Sequence, residues 1–494
     1  MRCHKHDGPY HCTNAVRFWQ TAARAIQPKT TLFKTAAGCQ YCGMTEPVAV
    51  PFWLLLLILA FAAITFASHF LFPSVRWFFR KRAEKALSRL NRRLDRPIEF
   101  FKLARRQDMI VRLSYDPRVL EAVADHAAET GMPGSVAFEE ARRYAREIVP
   151  GFSATLYFGV ATRLARRLSR LAYRVRIGRV DAALAHIDPK ATVIFVMNHR
   201  SNMDYVLITW LVANRSAISY AVGEWARIWP LSALIRSMGA YFIRRGSRNI
   251  LYRRVLARYV QMATAAGTTQ AIFPEGGLSL DGRVGAAKMG LLSYIVSAYE
   301  PGGRDVVFVP VGLAYDRVLE DRILTGAAEA GTRRFRGKPM AIIGFLLRNL
   351  WRKFRGRFKG FGTTAAGFGP PVSLRAFLAE APHRPTEELG AYLMAEITKV
   401  VPVLPVPLVA AALLEKPADR AALSAAMTAL QARLSARGAV QKLPPQGLEA
   451  TLQEGLTPLI NRGLIDANLQ ITQGSAALIG FYAAPVVQRL EAEV

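Results

Sequence analysis

A histidine and an aspartate five positions apart are the first residues in the sequence that could do chemistry. Residues 198–205 read Asn-His-Arg-Ser-Asn-Met-Asp-Tyr and follow an apolar run. Positions i and i+5 of a regular helix point about 140° apart, so His199 and Asp204 can meet only if His199 lies in a strand-to-helix turn and Asp204 in the first helical turn. In that geometry a neutral imidazole can take the proton of an alcohol, while the carboxylate orients the ring and stabilises the imidazolium.

The same residues also allow a purely structural interpretation. Ser201 and Asp204 form a Ser-x-x-Asp pattern, which is typical of a capping box at the start of a helix. Asp204 would then serve only the helix end. The spacing alone leaves both interpretations open.

Three further segments contain groups suited to an anionic substrate. Residues 239–245 read Gly-Ala-Tyr-Phe-Ile-Arg-Arg and end in Arg244 and Arg245, whose guanidinium groups can bind phosphate through two hydrogen bonds. Residues 273–279 read Phe-Pro-Glu-Gly-Gly-Leu-Ser, and their glycines let the backbone approach a ligand closely. Residues 309–312 read Val-Pro-Val-Gly. The structural alternatives are a solvated surface for the arginines and an ordinary turn for the glycines.

The elements that must position these groups lie between residues 191 and 318, where short apolar runs alternate with amphipathic segments. The pattern predicts strands at 191–197, 217–222, 271–274 and 306–311. It predicts helices at 205–214, 231–238, 249–265 and 286–298. This alternation is typical of an α/β layer.

In their order and spacing, these four segments resemble the four sequence blocks of the glycerolipid acyltransferases. The resemblance is closest to the glycerol-3-phosphate/dihydroxyacetone-phosphate acyltransferase branch. That branch typically reads His-Arg-Ser-x-x-Asp-Tyr, Gly-Ala-Phe-Phe-Ile-Arg-Arg, Glu-Gly-x-Arg-Ser and Val-Pro-x-x-x-x-Tyr-Asp. The similarity also includes 143–148, 367–374 and 401–414, so it covers residues 100–414. It implies an α/β fold with a mixed sheet, surrounding helices and helical extensions at both ends.

The resemblance also implies roles for individual residues. His199 would be the catalytic base and Asp204 its orienting carboxylate. The substrate-binding candidates lie in the second, third and fourth blocks and in the loop after the third: Arg244, Arg245, Glu275, Gly276, Gly277, Ser279, Arg283, Lys288 and Pro310.

The third block departs from the family pattern at one position. Where the family usually has arginine this chain has Leu278, and a second basic position nearby is Leu280. The resemblance implies that the family arginine helps to bind the acceptor phosphate. The cations that could replace it are Arg244, Arg245, Arg283 and Lys288.

The implied reaction is acyl transfer from a thioester to the 1-hydroxyl of glycerol 3-phosphate, which makes lysophosphatidic acid for phospholipid biosynthesis. The donor would be acyl-CoA or acyl-carrier protein as co-substrate, with no metal and no bound cofactor. A covalent acyl-enzyme is not expected, because all four cysteines lie in the first 42 residues and no Gly-x-Ser-x-Gly elbow occurs. Two alternatives stay open: a 1-acylglycerol-3-phosphate 2-O-acyltransferase, and an inactive relative that serves as a membrane interaction protein.

The composition favours anionic partners. The 494 residues include 66 Lys and Arg against 36 Asp and Glu, a formal net charge of +30, and 51% of them are hydrophobic. This apolar fraction excludes disorder for most of the chain. The positive charge would attract glycerol 3-phosphate, the acyl donor and membrane lipids. Charge alone would also suit nucleic acid, but we expect no nucleic-acid partner.

An uncharged segment, 47–75, predicts one transmembrane helix. Residues 48–72 are roughly 25 helical positions, enough to span a bilayer with some tilt. A cleaved signal peptide is the alternative, but the apolar run is too long and begins too far from Met1. Basic residues cluster directly after it, so the larger C-terminal part is expected on the cytoplasmic side of the inner membrane.

Two basic stretches allow several interpretations. Arginines recur at 163, 166, 167, 170 and 174, mostly three or four residues apart, which is typical of a solvated helix face or of a face on anionic headgroups. Residues 333–360 interleave basic and aromatic side chains. There a membrane-surface helix is favoured over a nucleic-acid patch or a solvated face.

The sequence divides into five parts. These are an N-terminal segment (1–46), the transmembrane helix (47–75), a basic helical region (76–190), the acyltransferase catalytic domain (191–375) and a helical C-terminal region (376–494). Cys39 and Cys42, with nearby Cys and His residues, could form a zinc site or be oxidised. Alternatively, translation starts at Met44 and residues 1–43 are not part of the protein.

Overall fold

The computed structural model describes residues 50–67, 72–177, 184–212, 216–223, 231–244, 246–331, 351, 355 and 360–492. The chain divides into two compact units, Met1–Lys81 and Arg82–Val494. The predicted zinc ligands and the alternative start at Met44 lie outside the described residues, as does nearly all of the basic run 333–360.

The first unit contains helix α1 (Phe52–Phe66), which is apolar throughout. None of its residues is buried, and its Phe and Trp side chains are among the most exposed large apolar groups of the chain. Helix α2 (Phe72–Asn91) begins in this unit and continues into the second. α1 has 15 residues, fewer than the predicted span, of which 47–49 and 68–71 lie outside the described residues. No helix among the described residues has both the length and the apolarity needed to cross a membrane.

The second unit is built on one mixed sheet. Among the described residues its strands are β1 (Arg174–Ile177), β2 (Thr192–Met197), β3 (Ser219–Val222), β4 (Tyr241–Phe242), β5 (Gln270–Ile272), β6 (Val306–Tyr315), β7 (Thr363–Phe368) and β8 (Val372–Ser373). The order across the sheet is β1-β7-β6-β2-β5-β3-β4, and β8 pairs with β6. β2 lies parallel to both β5 and β6, whereas β6 and β7 are antiparallel.

Helices cover both faces of this sheet. Among the described residues they are α3 (Phe100–Leu103), α4 (Arg106–Ser114), α5 (Pro117–Thr130), α6 (Gly134–Ile148), α7 (Thr162–Ala172), α8 (Met203–Val212), α9 (Leu231–Ser237), α10 (Ile250–Ala265), α11 (Met289–Val296), α12 (Asp321–Glu329), α13 (Leu374–Ala379), α14 (Pro385–Val400), α15 (Pro405–Leu413), α16 (Arg420–Ala436), α17 (Leu448–Asn461) and α18 (Ala476–Glu491). A π-helical segment, Thr155–Ala161, leads directly into α7.

The apolar run of β2 is continuous because both faces of the strand are buried. Phe195 and Met197 pack on one side, in a core shared with α15, α17 and α18. Ile194 and Val196 pack on the other side, in a core shared with α4, α6 and α10. The two cores hold β2 rigidly at the centre of the sheet.

The four predicted strands are confirmed as β2, β3, β5 and β6, and the predicted helices correspond to α8 to α11. The mixed α/β fold is therefore as predicted. Strand β1 was not predicted, because Arg174 and Arg176 of its Arg-Val-Arg-Ile sequence continue the arginine pattern of α7. The structure shows that these residues pair in parallel with β7 at the edge of the sheet.

Candidate active site

The sheet brings the first and third sequence blocks to one edge. β2 and β5 are parallel neighbours, so the residues that follow them, including His199 and Glu275, lie at the same carboxyl edge. Asp204 lies in the first turn of α8. The strand-to-helix turn required by the spacing of His199 and Asp204 is therefore present.

His199 and Asp204 are in direct contact. The Nδ1 of His199 is 2.9 Å from the Oδ2 of Asp204, and both side chains are buried. Because a carboxylate oxygen accepts hydrogen bonds, Nδ1 carries the ring proton and Nε2 is the nitrogen that can accept one. This is the geometry that a histidine base and its orienting carboxylate require.

Asp204 also organises the loop that precedes α8. Its Oδ2 accepts hydrogen bonds from the backbone N–H groups of Arg200 (2.8 Å) and Ser201 (3.0 Å). Its Oδ1 accepts one from the hydroxyl of Tyr315 (2.6 Å). The catalytic and the capping interpretations of the sequence are thus compatible. The same carboxylate caps the start of α8 and orients the imidazole.

Aromatic rings fix the other faces of the imidazole. The ring of Phe273 is stacked on His199 with centroids 4.2 Å apart, and Tyr205 packs edge-on at 5.4 Å. Both aromatic side chains also line an adjacent cavity of 330 Å³. The two rings that pack on the imidazole are therefore also part of the cavity wall, which His199 itself does not line.

This cavity combines an apolar wall with cations. Its apolar lining includes Ile243, Leu256, Ile272, Leu291 and Leu292. Among the described residues, its cations are Arg244, Arg253 and Lys288. Such a combination suits a ligand with both an anionic group and an apolar part.

The predicted phosphate ligands differ in their surroundings. Arg244 donates two hydrogen bonds to Glu147, at 2.9 and 2.6 Å, and these bonds raise the pKa of Arg244 above its usual value. Arg283 forms an ion pair with Glu491. Arg245 lies outside the described residues.

The side chain of Lys288 lies against the third block. A Cβ at Gly276, whose φ is +65°, would lie 2.9 Å from the Cδ of Lys288. The lysine side chain thus passes close over Gly276, whose positive φ is a conformation that glycine adopts readily. Both residues line the cavity.

Glu275 links two loops. It accepts hydrogen bonds from the backbone N–H of His199, at 3.0 Å, and from that of Gly285. Burial raises its pKa to about 7. In this position Glu275 fixes the backbone that carries His199.

We expect replacement of Glu275 by glutamine to change how stability depends on pH. The folded-state pKa is raised from 4.5 to about 7, so the stabilisation by Glu275 is complete below pH 4.5 and lost as the pH rises through 7. Relative to Glu275→Gln, the wild type should lose about 3 kcal/mol of unfolding free energy across this interval. Urea denaturation of both proteins from pH 4 to 8 measures the difference. Parallel pH curves would contradict the expectation.

The remaining predicted residues lie outside the cavity lining. The backbone N–H of Ser279 donates to the carbonyl of His199, at 2.9 Å, and the Ser279 hydroxyl closes its own loop by donating to the Arg283 carbonyl. Gly277 follows Gly276 in the same turn. Pro310 lies inside β6, opposite Val196 in the sheet.

Several residues that support the site were not predicted. Glu320 accepts hydrogen bonds from the Ser201 hydroxyl (2.8 Å) and from the backbone (3.2 Å) and side chain (3.0 Å) of Asn202. The side chain of Asn198 bridges β2 and β6 by bonding the backbone N–H and carbonyl of Leu313, at 2.7 and 3.0 Å. The sequence could have indicated Tyr315 and Asn198, because both lie within or next to a sequence block. No sequence feature pointed to Glu320 or Arg253.

Helix α18 reaches the same loops from far along the chain. The amide of Gln488 bonds both the N–H and the carbonyl of Val284, at 2.8 and 2.9 Å. The ring of Phe481 lies 4.4 Å from the guanidinium of the buried Arg200, which donates to the carbonyl of Gly282 at 2.5 Å. The C-terminal region therefore holds the loop that follows the third block.

Within the described ranges, no group of three or more His, Cys, Asp or Glu side chains is arranged to hold a metal ion.

Two family models match the chain. The model described as acyltransferase matches residues 180–314, and the one described as glycerol-3-phosphate acyltransferase C-terminal region matches residues 347–483. The first match contains the His199–Asp204 pair and the Glu275 loop. The second contains most of the helices α13 to α18.

Curated relatives carry the same description. A glycerol-3-phosphate acyltransferase of Pseudomonas putida is 27% identical over 333 residues, which are 63% of this chain and 39% of that protein. The mitochondrial glycerol-3-phosphate acyltransferase 1 of Mus musculus is 28% identical over 309 residues, 58% of this chain and 36% of that protein. The chain thus spans about two fifths of the length of these relatives.

A solved structure of the 1-acyl-sn-glycerophosphate acyltransferase of Thermotoga maritima is also similar. It is 19% identical, and the match covers 58% of this chain and 98% of that one, with a TM-score of 0.28. A TM-score this low does not bear on the fold.

Proposed function

We propose that the chain transfers a fatty acyl group from acyl-CoA or acyl-carrier protein to the 1-hydroxyl of glycerol 3-phosphate, because it matches two acyltransferase family models and is similar to curated glycerol-3-phosphate acyltransferases. The product is lysophosphatidic acid. The observation that carries this proposal is the buried His199–Asp204 contact beside a cavity with cations and an apolar wall.

In this reaction the Nε2 of His199 accepts the proton of the substrate hydroxyl while its oxygen attacks the thioester carbonyl. The C–S bond of the resulting tetrahedral intermediate then breaks, and the imidazolium returns the proton to the leaving thiolate. Asp204 stabilises the imidazolium between the two steps through its contact with Nδ1. The nucleophile belongs to the substrate, so no covalent acyl-enzyme forms.

Lys288 takes the role of the missing arginine of the third block. The arginine position is occupied by Leu278, which packs against the core that includes α15 and α18. Lys288 supplies a cation that lines the cavity and lies over Gly276 of the same block. A lysine ammonium binds phosphate as a point charge and does not need the planar geometry of a guanidinium.

Replacing Lys288 by methionine should raise the KM for glycerol 3-phosphate about 10- to 100-fold, the range expected for the loss of a hydrogen bond to a charged group. Methionine keeps the length of the side chain and removes its charge. Arg283→Gln is the matched control, because Arg283 is paired with Glu491 and does not line the cavity. Steady-state kinetics with varied acceptor separate the two. An equal rise in KM for both variants would remove the special role of Lys288.

Membrane attachment is the second part of the proposal. α1 is apolar on all sides and exposes its side chains, including Phe52 (74%) and Phe61 (73%). Such a surface is costly in water and favourable in a bilayer. We place the protein in the inner membrane through the segment 47–75, with the second unit on the cytoplasmic side.

The experiment that tests the function is acyl transfer by the detergent-solubilised full chain. A long-chain acyl-CoA is offered with glycerol 3-phosphate or with lysophosphatidic acid, and acyl-carrier protein replaces CoA in a parallel series. Product from glycerol 3-phosphate supports the proposal. Product from lysophosphatidic acid alone would instead indicate a 1-acylglycerol-3-phosphate 2-O-acyltransferase. No product with either donor would indicate an inactive relative.

A further inference from the structure

Helix α7 and the π-helical segment that leads into it expose a row of large apolar side chains. Val160, Leu164 and Leu168 follow one another at intervals of four residues, with exposed fractions of 52%, 44% and 41%. Residues four apart lie above one another on a helix. The three side chains thus form one continuous exposed ridge, which we call the α7 ridge.

The buried side of the helix carries small residues. Thr162, Ala165 and Ser169 are buried, and α7 packs against α8. An ordinary surface helix buries its large apolar residues and exposes its polar ones. In α7, by contrast, Leu164 and Leu168 are exposed. Packing within this chain therefore does not explain why these positions are leucine.

Arginines border the α7 ridge on one side, and the buried small residues lie on the other. Arg163, Arg166 and Arg167 are exposed, and within the part of the chain that the structure describes none of them pairs with a carboxylate. The guanidinium of Arg170 lies 5.4 Å from the ring of Trp210. The sequence of α7 contains no acidic residue. The exposed face therefore combines apolar side chains with uncompensated positive charge.

We propose that the α7 ridge and its arginines lie on the surface of a bilayer that contains anionic lipids. Leucine and valine side chains enter the interface, while guanidinium groups bind the headgroup phosphates and keep their stems along the apolar surface. This charge complementarity favours a lipid surface. An acidic protein partner would account for the arginines but not for the exposed apolar ridge beside them.

The proposed docking has a consequence for the active site, which rests on the proposed function. α7 packs against α8, and α8 carries Asp204 in its first turn. A membrane in contact with the α7 ridge would thus lie near the helix that forms half of the catalytic pair. The acyl chain of the amphipathic product could then enter the bilayer with little exposure to water.

An environment-sensitive fluorophore at position 164 tests the proposal. The full chain is prepared with its four cysteines replaced by serine, and Leu164→Cys is labelled with a nitrobenzoxadiazole group. Val136→Cys is the matched control, because Val136 is 53% exposed on α6, in the same unit. Vesicles contain phosphatidylcholine alone or phosphatidylcholine with phosphatidylglycerol.

We expect a blue shift of the emission at position 164 with phosphatidylglycerol vesicles and none at position 136. Combining Arg163→Gln, Arg166→Gln and Arg167→Gln should abolish the shift. The proposal is overturned by an unshifted spectrum in protein that co-sediments with these vesicles, or by an equal shift with phosphatidylcholine alone. A concentration-dependent shift without vesicles would assign the ridge to a second copy of the chain.

The same triple variant separates this proposal from the proposed function. In detergent with a short-chain, water-soluble acyl-CoA, it should transfer acyl groups to glycerol 3-phosphate as fast as the wild type. If neither protein is active while the fluorophore at position 164 still shifts, the docking surface stands and the proposed function fails. If the triple variant were inactive in detergent while the wild type is active, the three arginines would be needed for more than lipid binding. That result would overturn the proposal.

Discussion

Replacement of His199 by alanine should lower the rate of acyl transfer by about 10²- to 10⁴-fold, the usual contribution of a positioned general base. The imidazole is held by Asp204 at 2.9 Å and by the stacked ring of Phe273 at 4.2 Å, so its Nε2 has a fixed direction. Without it, the substrate hydroxyl must lose its proton to water. The loss should appear in kcat, because the cations of the cavity remain in place.

Rates of acyl transfer from acyl-CoA to glycerol 3-phosphate measure this effect. His383→Ala is the matched control, since His383 is exposed and lies just before α14. Alanine leaves a void between Phe273 and Tyr205, so His199→Gln and thermal unfolding of both variants separate a loss of chemistry from a loss of fold. A folded His199 variant with more than a tenth of the wild-type rate would show that another group is the base.

Replacement of Asp204 by asparagine should be comparably damaging, with a fall in kcat of about 10³-fold or more. Both carboxylate oxygens accept hydrogen bonds, from Nδ1 of His199, the backbone of Arg200 and Ser201, and the hydroxyl of Tyr315. An amide must turn its N–H groups toward some of these donors. The buried unpaired groups should also lower the unfolding free energy by about 1–3 kcal/mol.

Tyr315→Phe separates these two consequences. It removes one donor to Oδ1 and leaves the contact of Oδ2 with His199 intact. We therefore expect a smaller loss of kcat than in Asp204→Asn, together with a measurable loss of stability. Kinetics and urea denaturation of the two variants give both numbers. If Asp204→Asn kept the wild-type kcat, Asp204 would serve only as a helix cap.

The chemistry of the site was predictable where residues close in sequence meet in space. The spacing of His199 and Asp204 allowed their contact only across a strand-to-helix turn, and the structure has that turn. The spacing left the catalytic and capping interpretations open, and the family resemblance favoured the catalytic one. The contact of Glu275 with the backbone of His199 was not predicted, because it depends on the parallel pairing of β2 and β5.

The partners of the cations were not predictable from local pattern. Arg244 pairs with Glu147, which is 97 residues earlier, and Arg283 pairs with Glu491, which is 208 residues later. No periodicity links residues so far apart, because their contact depends on how whole helices pack. The structure thus shows that Arg244 and Arg283 are paired with distant carboxylates, which the sequence could not indicate.

Helix α18 is synthesised last, so its contacts with the loop after the third block form late. Gln488 is translated 204 residues after Val284, the residue whose backbone it holds. At elongation rates of about 5–20 residues per second, this interval is roughly 10–40 s. During that time the loop after the third block lacks its contacts with Gln488, although His199 and Asp204 are already made. These contacts can form only after translation has passed residue 488.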